Sequence, residues 1–420
     1  MKKFFNRELS WIEFNARVLA EAQSPDVPLF ERLKFLGITE TNFDEFFQVR
    51  VASIKRSAKD RELFLKISQR ASQVVRKEYE ILSSSILPEL EKVGLKYVVP
   101  SEYTESQKSF AESFFKHDIF PILTPLRTDG DMFPAVGNLN LNVAFLLRRM
   151  EGIPQRKDLL DSSRNETIAL VQIPSVQERI VWLPSANGDR PFALLDDIIS
   201  TYGDRLFPGY EATETLVFKI CRDADFAVDE DSDQFIKAMQ EVLVKRKSSF
   251  VVRMEYKNTS EKILGLLKEK FSLAEEDLYE ASCIIDPSTL ASIGNVDNAA
   301  DLKYPVWNNS FPKALPHGET YWNTLRQHDV LLHVPYESYD PVVEFISQAA
   351  EDENVLAIFC LSLNLEKSII CLLFRCQPPS GQWWLQSLPL LNLRHALTSS
   401  ATWNGQRNLS VQVSSLSMES

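Results

Sequence analysis

Leu29 to Phe47 reads L-F-E-R-L-K-F-L-G-I-T-E-T-N-F-D-E-F-F, and apolar residues recur in it at helical spacing: Leu29, Leu33 and Leu36, then Phe43, Phe46 and Phe47. The stretch predicts helix, and its flanks extend the pattern over residues 1–100. Upstream, Ser10 followed by Glu13 has the spacing of a capping box ahead of Phe14, Val18 and Leu19. Downstream, Ile67, Val74, Val75 and Tyr79 mark the apolar face of a long amphipathic helix. Lys55, Arg56, Lys59, Arg61, Lys66, Arg70, Arg76 and Lys77 decorate this region. A solvated face accounts for them most simply; the sharper alternative is one wall of an anion-binding channel.

Beyond residue 100 the pattern is mixed, and an α+β domain is expected over 101–315. Asn138, Asn140 and Asn142 alternate with Leu139, Leu141, Val143 and Phe145, a period of two that predicts a strand. Ile168–Ile173 and Arg179–Leu183 flank a Pro/Ser turn and predict a hairpin. Ser232–Val244 reads as an amphipathic helix, Phe250–Tyr256 as a strand, Thr259–Phe271 as a helix, and Gly152–Arg164 as a polar loop. A third unit is expected over 316–358. In it a strand at Val330–Leu332, a helix at Pro341–Ala350 and a strand at Val355–Ile358 give the opening of a parallel α/β domain.

Composition bounds the function. A chain of 420 residues holds two or three domains, and a formal charge of −12 argues against non-specific binding of nucleic acid or anionic membrane by the whole surface. It leaves room for a local basic pocket. Cys221, Cys283, Cys360, Cys371 and Cys376 contain no C-x-x-C pair, which fits a reducing compartment. The opening M-K-K-F-F-N-R-E turns charged too soon for a signal peptide, and the most apolar stretch, Val355–Phe374, is broken by Asn364, Glu366 and Lys367. A cytoplasmic protein without a membrane span is therefore expected, peripheral membrane association being left open. There is no phosphate-binding glycine loop, protein-kinase catalytic loop or nucleophile elbow. His117, His317, His328, His333 and His395 form no metal-ligand pair, and His328 and His333, either side of the strand expected at Val330–Leu332, read as structural or exposed.

Longer motifs say more. N-R-E-L-S-W-I-E-F-N (Asn6–Asn15), P-L-F-E-R-L-K-F-L (Pro28–Leu36) and T-N-F-D-E-F-F-Q-V-R-V-A (Thr41–Ala52) resemble the helical amino-terminal domain of polyphosphate kinases. L-T-P-L (Leu123–Leu126), Phe133-Pro134, N-L-N-L-N (Asn138–Asn142), V-Q-I-P (Val171–Pro174), L-F-P-G-Y-E (Leu206–Glu211) and R-D-A-D (Arg222–Asp225) resemble that family's second domain. D-V-L-L-H-V-P-Y-E-S-Y-D-P-V-V-E-F (Asp329–Phe345) resembles the start of its first catalytic domain, of phospholipase-D-like α/β fold.

The resemblance implies reversible phosphoryl transfer from ATP to inorganic polyphosphate through a phosphohistidine, with Mg²⁺ on the nucleotide and assembly as homo-oligomers. It places the family's nucleotide-contacting asparagine on Asn42, where an amide offers a base edge both a donor and an acceptor. The residues before Asn42, T-E-T, depart from the family's serines, and Asn42 also suits a helix N-cap ahead of Asp44 and Glu45. Asn6, Arg7 and Glu8 read as structural. No residue here is assigned as the phosphohistidine or as a Mg²⁺-associated arginine. After Val355–Ile358 the family continues with a lysine and a Y-R pair, where this chain has Phe359, Cys360 and Leu361. Two further readings remain: a non-enzymatic fragment that oligomerises with a full-length kinase, and a phospholipase-like hydrolase, which would need H-x-K motifs that are absent.

Residues 359–420 are expected to be irregular. After Lys367 lysine and aspartate vanish, serine becomes frequent, and Trp383, Trp384 and Trp403 crowd together. A shifted reading frame would account for this, the alternative being a natural divergent tail. Permitted codons for Ser387–Ser410, read from each third base, spell V-A-V-V-E-L-K-A-R-F-D-E-Q-R-N-M-E-W-A-K-K-L-E, which is again similar to the family's first catalytic domain. Chain read out of frame has no selected apolar pattern, and Val355–Ile358 would then lie on an open sheet edge. The coding DNA tests this: its codons should spell the family-like sequence in the second frame, and codons incompatible with that reading end the idea.

Overall fold

The computed structural model describes residues 4–57, 60–128, 133–150, 166–186, 188–224, 249–258, 260–295, 300–305, 307–315, 321–352, 355, 357–363, 369–377, 382–388 and 409–412. The helix expected at Ser232–Val244 and the loop at Gly152–Arg164 lie outside them, as do 389–408 and 413–420. Residues 1–228 and 236–305 make one compact unit, and 306–420 with 229–235 a second.

The first unit begins with helices. Asn6 caps α1 (Arg7–Gln23), its side chain accepting from Leu9 N at 2.9 Å. The capping box read at Ser10 is thus displaced. Ser10 lies inside α1 and donates to the Asn6 carbonyl at 2.8 Å, because the Asn6 amide already meets the free N–H groups one turn earlier. α2 (Leu29–Phe46) buries Leu29, Leu33, Leu36, Phe43 and Phe46, as its spacing predicts, and Trp11 of α1 stacks on Phe46 at 4.2 Å between centroids. A Cβ on Gly37 would stand 3.3 Å from Ser288 Cα, so the bare glycine lets the 3₁₀ segment Pro287–Asn295 approach α2. A π-helical turn (Phe47–Val51) leads into α3 (Ala52–Arg56). α4 (Arg61–Ile81) is the long amphipathic helix, with Phe64, Ile67, Val74, Val75 and Tyr79 buried. α5 (Leu87–Lys92) and α6 (Glu105–Phe114) complete the helical part.

The strands follow: β1 (Pro125–Arg127), β2 (Leu141–Arg149), β3 (Glu166–Gln172), β4 (Ile180–Trp182) and β5 (Phe192–Leu194). Next come α7 (Leu195–Tyr202), β6 (Tyr210–Arg222), β7 (Val251–Lys257), α8 (Glu261–Phe271) and β8 (Leu278–Glu280). Six strands pair in the order β1-β3-β2-β6-β7-β8, antiparallel except for β7 with β8. One sheet face, with Leu146, Leu170, Phe218 and Met254, packs on Ile263 and Leu267 of α8. The other, with Val143, Phe145, Val171 and Val217, joins the same core as the helical part, so the regions expected as 1–100 and 101–315 share one interior. With both faces covered, strands read as continuous apolar runs rather than alternations.

That is why the alternation at Asn138–Phe145 misplaced a strand start. Asn138–Asn140 form a turn with Leu139 at φ 58°, and β2 begins at Leu141. The expected hairpin also separates: β3 pairs with β1 and β2, whereas β4 pairs with β5 in a second, small sheet. Arg179 divides them, its guanidinium bonding Asp196 at 2.7 Å and the carbonyls of Ile285 and Asp286 at 2.7 and 2.9 Å.

The second unit holds α9 (Trp322–Gln327), α10 (Asp340–Glu351) and strands β9 (Ala357–Leu363), β10 (Ile369–Gln377), β11 (Gln382–Leu388) and β12 (Leu409–Gln412). Val330–Leu332 is no strand: it pairs with no strand among the described residues, and Leu331 is 87% exposed. The sheet runs β11-β10-β9-β12, all antiparallel, so the parallel opening does not form and β9 is central rather than an open edge. Where 359–420 was expected to be irregular, the described backbone is mostly strand. Only five residues separate β9 from β10 and four separate β10 from β11, fewer than the dozen or so that a parallel crossover needs.

Candidate functional site

Within an apolar run on β6, Lys219 is 2% exposed. Glu255 is its register partner on β7, and Arg253, paired with Cys221, lies two residues along the same face. This polar stripe meets the face of α2 that carries Glu40 and Asp44. The Lys219 ammonium donates to Glu40 and to Asp44 Oδ2 (3.0 Å), with Glu255 and Asp286 carboxylates at 3.5 and 3.7 Å. Arg253 stands 3.5 Å from both Glu40 and Asp44 and also contacts Glu255. Its guanidinium carbon is 5.2 Å from the Phe47 ring centre, 5.0 Å from Tyr279 and 6.0 Å from Phe43, an aromatic cage. Glu78 of α4 is fully buried nearby, and both its carboxyl oxygens lack a hydrogen-bond partner among the described residues.

Burial and the Glu40 charge push Glu78 well above the usual carboxyl range. Burial, only partly opposed by Lys219, lifts Asp44 to about 6. Asp286 is lowered despite its burial, by the charges of Lys219 and Arg179. Glu40, Asp44 and Glu255 place ligand oxygens within 4.8 Å of one another, the spacing of a cation site. Their oxygens, however, already face Lys219 and Arg253. A Mg²⁺ shell needs near-octahedral oxygens and usually retains water, so this cluster does not fit the Mg²⁺ that the sequence resemblance implies.

Beside the cluster three of the quoted motifs converge. Gln48, in the π-helical turn, accepts from Asn138 Nδ2 (2.8 Å), and Asn138 Oδ1 accepts from Arg222 N (2.7 Å). The Arg222 side chain donates to the carbonyls of Val136 and Ser249. Asp223 pairs with Arg56 at 3.1 Å, and Ala224 N donates to the Gln48 carbonyl at 3.1 Å.

Asn42 sits within α2, half-buried, so the N-cap reading is overturned: the helix starts thirteen positions earlier, at Leu29. Its Nδ2 donates to Asn15 Oδ1 at 3.0 Å, and Asn15 Nδ2 donates to the Thr39 carbonyl at 3.2 Å. The basic stretch follows the solvated-face reading only in part, since Lys55 and Arg56 reach the buried carboxylates of Asp277 and Asp223. Lys55, Arg56, Arg61, Lys66, Arg70 and Lys77 pair with Asp277, Asp223, Glu276, Glu62, Glu13 and Glu80. Lys59 lies outside the described residues. Lys219, Arg253, Glu255, Glu40 and Glu78 were not singled out in the sequence. The available signal was a charge inside an apolar strand (L-V-F-K-I-C) and the alternation R-M-E-Y-K on β7.

Three family models match in chain order: the polyphosphate kinase N-terminal domain at residues 4–98, the polyphosphate kinase middle domain at 106–293 and polyphosphate kinase C-terminal domain 1 at 320–371. The polyphosphate kinase of Bacillus anthracis is 36% identical over 372 residues, covering 84% of this chain and 52% of that protein. That of Pseudomonas aeruginosa is 33% identical over 373 residues, covering 84% and 53%. A crystal structure of polyphosphate kinase from Porphyromonas gingivalis aligns with a TM-score of 0.65 at 26% identity, over 84% of this chain and 50% of that one. The chain spans about half the length of the curated relatives it matches.

Two outcomes follow from the cluster. Lys219→Met leaves the surrounding carboxylates without their central cation and should cost about 3–5 kcal/mol, read from denaturant unfolding. Asp44 holds its proton up to about 6 in the folded protein, against 3.8 ordinarily. The folded form therefore binds that proton more tightly. The stability it contributes is full below about pH 4 and is lost as pH rises through about 6. Unfolding midpoints of wild type and Asp44→Asn measured between pH 4 and 8 should show a fall in wild type that the variant flattens.

Proposed function

The chain belongs to the polyphosphate kinase family, and on that premise we propose that the whole protein moves the terminal phosphate of ATP onto inorganic polyphosphate, reversibly, in the cytoplasm. The ordered match of three domains of one family along residues 4–371 is the observation that carries this reading. A phosphohistidine would divide the transfer into two steps. Mg²⁺ would arrive with ATP and neutralise its phosphates; no residue of the carboxylate cluster is assigned to it. Asn42 is the nucleotide-contacting residue of this chain, its amide meeting the base. The homo-oligomer is part of the proposal, as is peripheral membrane association; no described helix is long and apolar enough to cross a membrane.

No histidine of these 420 residues is assigned as the family's phosphohistidine, His333 in the Asp329–Phe345 motif included, so on this reading the polypeptide by itself forms no phosphohistidine and makes no polymer. That favours one second reading, a non-enzymatic role in which the chain assembles with a full-length kinase. Incubation of the purified chain with ATP labelled on its terminal phosphate should leave the protein unlabelled under alkaline quench. The same preparation should bind ATP, with Asn42→Ala weakening binding about tenfold, the loss of one or two hydrogen bonds. Alkali-stable, acid-labile label on the chain would overturn the inactivity, and unchanged binding by Asn42→Ala would overturn the site. Mixing with an intact kinase and looking for mixed oligomers separates the second reading.

A further inference from the structure

We propose that Asn15 is a positioning residue that fixes which end of the Asn42 amide faces the nucleotide, and so sets a preference for adenine. The inference rests on the proposed contact between Asn42 and the base. An asparagine side chain presents a donor at one end and an acceptor at the other, and rotating it by half a turn exchanges them. What decides the orientation here is a group that cannot be exchanged. The Thr39 carbonyl only accepts, and Asn15 stands 3.2 Å from it through Nδ2. Asn15 must therefore turn Oδ1 the other way, and there it accepts from Asn42 Nδ2 at 3.0 Å. Asn15 is fully buried, so its own amide is shielded from water, while Asn42 is half-buried. The relay Thr39–Asn15–Asn42 holds the Asn42 amino group inward. Its Oδ1 accepts no hydrogen bond among the described residues and is left for a ligand.

An acceptor held in that way discriminates between purines. Adenine carries an exocyclic amine, a donor, where guanine and hypoxanthine carry a carbonyl, an acceptor. The fixed Oδ1 pairs with the amine and opposes the carbonyl. An unrestrained amide would turn over and accept either base, so the preference resides in Asn15 even though Asn15 touches no nucleotide.

The test compares ATP with inosine triphosphate, which differs only at that edge of the base, by calorimetric binding to the 420-residue chain. Wild type should favour ATP by about tenfold, the worth of one hydrogen bond. Asn15→Leu should shrink the ratio to within about twofold while inosine triphosphate binding holds or improves. A merely structural Asn15 would instead weaken both nucleotides together and keep their ratio, which would overturn the proposal. Asn15→Asp, a buried carboxyl that retains its proton, still donates to Thr39 and accepts from Asn42, and should restore the preference; failure to do so overturns it as well. Equal binding of the two nucleotides by wild type overturns the orientation alone, whereas binding of neither removes the nucleotide reading of Asn42 and this inference with it. A ligand-free readout stands beside these. With ¹⁵N-labelled asparagine, the Asn42 amide protons should exchange slowly in wild type and quickly in Asn15→Leu; fast exchange in wild type would refute the relay whatever binds.

Discussion

The ammonium of Lys219 is the point on which the first unit closes. Glu40 and Asp44 come to it from α2, Glu255 from β7 and Asp286 from the chain beyond β8, so the cation gathers distant segments, Glu40 lying 179 residues from it in sequence. Hydrophobic packing fills the interior but is non-directional; by itself it would let α2 slide or turn against β6 and β7. An ion in a buried site tolerates neither, because each carboxylate moved out of reach is a charge left without its partner. Apolar residues of similar volume would give at least equal stability in such a place, so what the cluster contributes is the register of helix on sheet. The cage of Phe43, Phe47 and Tyr279 around Arg253 serves the same end, seating the second cation against aromatic faces that α2, its π-helical turn and β8 each supply.

Charge balance then explains the protons. Five carboxyls (Glu40, Asp44, Glu78, Glu255 and Asp286) share two cations, Lys219 and Arg253, in an interior that excludes water. The excess is relieved where a cation is least able to help. Burial raises both Glu78, whose carboxyl has no hydrogen-bond partner among the described residues, and Asp44, which Glu40 and Asp286 also crowd, so these two hold their protons to higher pH than an ordinary carboxyl. Asp286 lies between Lys219 and Arg179 and stays ionised. At Asp196 the paired Arg179 guanidinium, with Lys257 adding to it, holds the carboxyl below its usual range in spite of complete burial.

The helices were legible because a helix that buries one face writes that face into the sequence every three or four residues, as Leu29, Leu33 and Leu36 do. Strands buried on both faces write no such alternation. β2 was therefore placed too early, and β3 and β4 were joined into a hairpin that the long-range bonds of Arg179 forbid. The parallel opening of the second unit failed for a related reason: pairing direction is set by connections and neighbours, not by the residues of the strand. Asn42 was singled out through its motif, but its setting, mid-helix against Asn15, was not legible. Lys219 and Arg253 were passed over because a lone charge in an apolar run reveals its partners only after the chain has brought them together.

α2 links the two halves of the site. Glu40 and Asp44 lie about 40° apart around the helix, and Asn42 about 160° from each. One side of α2 is therefore held by the ion cluster while the other turns Asn42 toward α1 and Asn15. A hydrogen-bond relay between side chains on two helices keeps its geometry only when neither helix can rotate. Were α2 to turn by a single residue position, about 100°, Asn42 would leave Asn15 and the Thr39 carbonyl would no longer decide which end of the amide faces outward. The buried charges thus act on the Asn42 amide without touching it, through the rigidity of the helix that carries both.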